Sequence, residues 1–166
     1  MTKPAAAQRI AIRHAGPQDA EALATLVREL AAHEGKAELD HVTGEAVAAW
    51  AFGPEPAFKA LIAMADGEPA GYLAYYPVFS FFKGGRVLLV ENLYVADSAR
   101  GLGLGRRLMA AAAKEAVTHG YARMELNVRA ASPEARAFYQ RCGMSAPGEI
   151  VYRIEDEALR RLAGAQ

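Results

Sequence analysis

The stretch that most constrains this chain runs from Val87 to Gly120. A nearly continuous apolar run, Val87 to Val95, is interrupted only by Glu91 and Asn92. It is followed by Arg100-Gly101-Leu102-Gly103-Leu104-Gly105-Arg106-Arg107 and then by an alanine-rich segment that runs to His119 and stops at Gly120. The first part reads as a central strand, because strands covered on both faces lose the polar half of their alternation. The last part reads as a helix, because alanine is the best helix former and a glycine suits the left-handed end. A strand, a tight glycine turn and a helix start gather several backbone N–H groups at the positive end of a helix dipole, where phosphate oxygens bind. The glycines permit close backbone approach, and Arg100, Arg106 and Arg107 add positive charge. The stretch points to a ligand carrying a pyrophosphate.

Two familiar nucleotide classes do not fit. A dinucleotide fingerprint needs a glycine three residues after its second glycine, where this chain has Arg106 or Leu108, and no Gly-Lys-Ser or Gly-Lys-Thr is present. Nineteen basic and nineteen acidic side chains balance to a formal net charge of +0. There is thus no overall field to gather nucleic acid or an anionic membrane, and neither is an expected partner. The single Cys142 excludes an internal disulfide and a cysteine-rich metal site, and fits a reducing compartment, so a cytoplasmic location is expected. His14, His33, His41 and His119 lack ligand spacing, so no metal is expected. Met1 to Gln8 has no apolar stretch of signal-peptide length, and no segment approaches a membrane span.

The 166 residues, 52% of them hydrophobic, suit one soluble domain over 1–166. Arg9 to His14 alternates as a half-buried strand does. Leu23, Leu26, Val27 and Leu30 recur at helical spacing up to about Ala32, and a polar, acidic loop with Glu34, Glu38 and Asp40 follows. Thr43 and Glu45 open a brief helix that ends near Trp50. Phe58 to Met64 and Gly71 to Phe79 read as a hairpin turning at Asp66-Gly67, and Met124 to Val128 as a further strand. Pro133 starts a short helix through Arg141, Glu149 to Ile154 reads as a last strand, and a polar helix ends the chain. Mixed hairpin and crossover connections of this kind give an α+β (mixed α/β) domain, a central mixed sheet flanked by helices.

The signature Arg100, Gly103 and Gly105 resembles the acetyl-CoA signature of the GNAT N-acetyltransferase superfamily. The resemblance extends to Ile12-Arg13, Glu91 to Val95 and Phe138-Tyr139-Gln140-Arg141-Cys142-Gly143. Phe52-Gly53-Pro54-Glu55-Pro56, the Gly71 to Tyr76 strand and Val90-Glu91-Asn92-Leu93-Tyr94-Val95 are similar to the diamine (spermidine/spermine) and thialysine branch. The resemblance implies the GNAT acyl-CoA fold, acetyl-CoA as cosubstrate and transfer to a primary amine of a small cationic acceptor, polyamine or diamine-like. It implies direct attack in a ternary complex, and a homodimer. The alternatives are a thialysine, amino-acid or protein-lysine acetyltransferase, or a non-catalytic acyl-CoA-binding module.

By the same resemblance the backbone at Leu93, Tyr94 and Val95 pairs with the pantetheine arm. The amides of Gly101, Leu102, Gly103, Leu104, Gly105 and Arg106 hold the pyrophosphate, with Arg100 in the signature. Ser132 and Ala135 take the place where the family often has Asn three residues before an alanine; a serine there caps the helix or bonds the pantetheine. Asn92 stands where the branch commonly has Asp, which removes a negative charge. His33 and Glu34 correspond to substrate-contacting positions, although a solvated helix end explains both equally well.

An alkyl ammonium with a pKa near 10.4 attacks a thioester only once it is neutral, so a proton acceptor is needed. Glu91 is the one ionisable side chain in the Val87 to Val95 run. A carboxylate there attracts the ammonium and takes its proton, or else simply pairs with an arginine. The phenol of Tyr139, the family's general acid, donates to the departing thiolate; otherwise it is a core aromatic. Cys142, at a helix end, reads as a packing residue.

Overall fold

The computed structural model describes residues 9–39, 41–148 and 150–164. They fall into two compact units, 1–129 and 130–166, each described by itself.

The first unit holds a five-stranded sheet in the order β1 (Ile10–His14), β2 (Lys59–Ala65), β3 (Glu68–Ser80), β4 (Gly85–Val95) and β5 (Arg123–Leu126). The first four strands pair antiparallel and β5 lies parallel to β4. The β2–β3 turn is the anticipated Asp66-Gly67. Both residues have positive φ (53° and 93°), the combination a two-residue hairpin turn needs to match strand twist. Asp66 also accepts from the Arg9 amide at 2.9 Å, which pins β1 beside the turn. Gly71 lies where β3 and β4 run closest: an added Cβ would stand 2.7 Å from the Tyr94 carbonyl oxygen.

One sheet face carries α1 (Ala20–His33) and α2 (Gly44–Phe52), whose Leu23, Ala24, Leu26 and Val47 bury against Ile62, Tyr72, Ala74 and Tyr94. Residues of opposite parity point the other way, where Tyr75 reaches Glu115 of α3 (Leu104–Thr118) at 3.3 Å. The buried Asp19 before α1 accepts both Arg13 guanidinium nitrogens (2.6 and 2.8 Å) and the Gly16 amide (2.7 Å), which ties the helix start to β1.

The second unit contains α4 (Pro133–Arg141), with the bounds expected from Pro133 and Gly143, and α5 (Asp156–Ala163). The expected strand Glu149–Ile154 is not formed. Glu149 lies outside the described residues, and 150–154 pair with no strand and leave Ile150, Val151 and Tyr152 largely exposed. Alternating apolar residues supply a face to bury but not the neighbouring backbone that makes a strand. The strand expected over Met124–Val128 likewise ends at Leu126. Asp40 of the acidic loop also lies outside the described residues.

Candidate active site

The centre of the site is a change of register in the sheet. Ala74 faces Asn92 and Tyr75 faces Val90, so Glu91 is the extra residue of a β-bulge on β4. A bulge re-aims a side chain and bends its strand. Glu91 is exposed, and its Oε2 accepts the Tyr76 hydroxyl at 3.1 Å. Burial raises the pKa of Tyr76, and the charge of Glu91 adds to the rise, so the phenol stays a donor to the carboxylate.

Past the bulge, β4 changes its neighbours. β5 pairs with it only over Val87–Val90, while β3 follows it to Val95. From Glu91 to Val95 one edge of β4 therefore has no strand beside it among the described residues, and its N–H and C=O groups are available to an extended amide-bearing chain. Leu93, Tyr94 and Val95 lie on this open edge.

The glycine turn follows. Gly101 and Gly103 have φ of 84° and 73°, and Gly103 caps α3. These left-handed residues carry the backbone from one face of the turn to the other without the steric cost of a Cβ, and leave the first N–H groups of α3 unspanned by any cap side chain. The first turn of α3 has no acidic residue and instead carries Arg106 and Arg107. Both arginines lie at the positive end of the helix dipole. Arg100 is engaged otherwise: its guanidinium pairs with Asp97 at 2.7 Å and approaches both ring nitrogens of His33 at 3.5 Å.

A cavity of about 490 Å³ opens beside Glu91 between α1, α2 and the sheet. Sequence reading missed it, since its walls come from five separate elements. A second, of about 460 Å³, has a mixed lining in which Glu29, His33, Tyr94, Asp97 and Ser98 stand beside Ala32 and Ala96. His33 thus faces the second cavity, while Glu34 is held by Lys36 and lies 3.8 Å from Arg129.

In the other unit, Tyr139 sits in the last turns of α4 with its ring edge-to-face on Phe138, 5.1 Å between centroids. Burial raises its pKa, so its proton is retained at neutral pH. Ser132 occupies the N-cap of α4 and Ala135 the first turn, but the serine hydroxyl makes no capping bond and is left for another partner. Cys142 is a half-buried free thiol at the end of this helix. No group of three or more His, Cys, Asp or Glu side chains among the described residues is placed to hold a metal, and no helix is long and apolar enough to cross a membrane.

The mixed sheet thus has a bulged strand with an open edge, and that strand feeds a glycine turn and an arginine-bearing helix start. The chain matches the Acetyltransferase (GNAT) family over residues 22–144. It is 33% identical to a thialysine N-epsilon-acetyltransferase of Bos taurus, over 93% of this chain and 98% of that protein. It is 30% identical to the human spermidine/spermine N(1)-acetyltransferase-like protein 1, over 64% of this chain but 16% of that one. Among solved structures, an integron cassette protein from the mobile metagenome of V. cholerae superposes with a TM-score of 0.79 at 25% identity, covering 94% of this chain and 98% of that one. The protein belongs to the GNAT family and is an N-acetyltransferase.

Proposed function

We propose that the protein transfers an acetyl group from acetyl-CoA to a primary amine of a small molecule, and that residues 1–166 act as one catalytic domain. The family match runs across both compact units, which supports the single domain. The observation that carries the reading is the succession on one chain segment of the Glu91 bulge, the open β4 edge and the glycine turn with its arginine-bearing helix start.

In this reading the amides of Gly101 to Arg106 hold the pyrophosphate, the open edge at Leu93 to Val95 pairs with the pantetheine amides, and Ser132 with Ala135 lines the arm. Acetyl-CoA, when bound, supplies an activated thioester carbonyl. Glu91 draws in the ammonium and takes one proton from it, directly or through one water, so that a neutral nitrogen attacks the acetyl carbon; the second proton that this nitrogen sheds restores the phenol of Tyr139 after it has donated. Tyr139 donates its proton to the sulfur as the carbon–sulfur bond breaks.

A diamine or polyamine and a thialysine-like amine are the acceptors that the names of the curated relatives suggest. The family resemblance also offers His33 and Glu34 as acceptor contacts, but His33 faces the second cavity and Glu34 is held by Lys36, so Glu91 is the contact this reading favours. A cytoplasmic homodimer that binds neither nucleic acid nor membrane completes the proposal. Thiol release from acetyl-CoA, assayed across polyamines, amino acids and lysine peptides, tests it. Release with small amines but not peptides is expected, and no release with any amine overturns the reading.

A further inference from the structure

The cavity beside Glu91 has a composition that selects among amines. Its walls are Leu23 and Val27 of α1, Val47 and Trp50 of α2, and Phe58 and Ala74 of the sheet side, with Tyr76, Glu91 and Asn92 at one end. Glu91 is the only carboxylate among the described lining residues, and it has no basic partner among them. Tyr72 also lines the cavity, but its hydroxyl is shut off from solvent and has no hydrogen-bond partner among the described residues, so it adds no open polar group.

We infer that this cavity binds the amine substrate, and that it selects amines with one ammonium group and an apolar body over polyamines. The inference rests on the acetyltransferase reading above and narrows its acceptor to monoamines, which sets aside polyamines and thialysine-like amines alike, since each carries more than one ammonium group. One carboxylate at the end of an apolar chamber matches one cation followed by carbon. A second or third ammonium carried into the same chamber would be desolvated with no partner, which is strongly unfavourable. Apolar surface, by contrast, is favoured in proportion to the area removed from water. At about 490 Å³ the chamber lies within the size range of small-molecule sites. Leu23, Val47, Ala60 and Ala74 are buried, so the walls hold their shape; Trp50 is exposed at the rim, where a ligand can cover it.

Trp50 is the only tryptophan of the chain and therefore reports directly on the chamber. The test is a titration of the full chain, with saturating CoA present, following Trp50 fluorescence. The probes are propylamine, butylamine, pentylamine, hexylamine, 2-phenylethylamine, spermidine and hexanol. Each added methylene is expected to tighten binding by about three- to fourfold. Hexylamine and 2-phenylethylamine are expected to bind at least tenfold tighter than spermidine. Glu91→Gln is expected to weaken the amines about tenfold and leave hexanol unchanged. Ala46→Phe, which intrudes from α2, is expected to abolish binding of hexylamine before propylamine; the wild-type methylene series carries the test even if this variant fails to fold.

A flat methylene series, tighter binding of spermidine, or a Trp50 signal that follows protein concentration instead of amine would overturn the inference; the last would mean that a second copy covers the chamber. Failure of the underlying reading looks different. In that case the apolar amines bind and no CoA is released from acetyl-CoA.

Discussion

Helix α1 forms a wall of two cavities of similar size, one strongly apolar and the other of mixed lining. Its Leu23 and Val27 face the chamber beside Glu91, and its Glu29, Ala32 and His33 face the mixed one beside Tyr94 and Asp97. In the first, one carboxylate stands in an apolar setting, where a charge interacts strongly and an unmatched one is penalised. In the second, carboxylates and a histidine share a more polar groove in which water competes for every contact, and its neighbour Arg100 is already paired with Asp97. A single acid beside an apolar wall discriminates between amines better than several acids in a more polar groove. The chamber at Glu91 is therefore the proposed acceptor site, ahead of His33 and Glu34, which the family resemblance offers beside Glu91.

The largest effect is expected from removing the proposed acid and leaving both cavities intact. Tyr139→Phe should lower turnover by about a hundredfold while the affinities for amine and CoA stay within twofold, measured by single-turnover kinetics and equilibrium binding. Because burial raises the Tyr139 pKa, its ionisation should cause no fall in wild-type turnover through the neutral and mildly alkaline range. Next comes the acid of the apolar chamber. Glu91→Gln should lower kcat/KM for amine about tenfold to a hundredfold, and the deficit should shrink as pH rises towards the amine pKa near 10.4, where neutral amine becomes abundant. An unchanged variant across pH would leave Glu91 with no part in the reaction.

A smaller effect should touch both cavities alike, because α1 is common to them. Asp19→Asn removes an acceptor that is held by Arg13 and by the Gly16 amide. It should cost about 2 kcal/mol and lower Tm by roughly 4–8 °C, without changing the preference among amines. The Arg13 hydrogen bonds hold the Asp19 carboxyl below its ordinary value. Its stabilisation is thus present above the unfolded carboxylate pKa near 3.9 and is lost as pH falls through the lower folded value, so wild type and variant should converge only in strong acid. The smallest effect is expected at the more polar cavity, where His33→Ala should leave amine KM within twofold. A tenfold rise there would move the acceptor to the second cavity and reverse the comparison.

What was legible in the sequence had a local cause. The glycine turn, the apolar β4, the Asp66-Gly67 hairpin and the limits of α4 are each set by residues within a few positions of one another, through backbone conformation and helix ends. Glu91 stood out because an ionisable residue interrupts an apolar run. Its bulge did not, since a register change requires knowledge of the partner strand. The apolar chamber was hidden because Leu23, Val47, Phe58 and Ala74 are ordinary core residues in sequence, and only the packing of two helices over the sheet leaves a space between them. The segment 149–154 was misread for the converse reason: the pattern of a strand was present, but the described residues offer it no strand to pair with. Arg100 was read as part of the phosphate signature, and the pairing with Asp97 and His33 that occupies it depends on residues up to 67 positions away.

The central claim is that an acetyl group passes from acetyl-CoA to an amine nitrogen. It is tested most directly by incubating the protein with acetyl-CoA and hexylamine and resolving the products by mass spectrometry. The account predicts N-acetylhexylamine and free CoA formed in equal amounts, at a rate proportional to enzyme. CoA released with no acetylated amine, or acetyl-CoA bound and recovered intact, would contradict it.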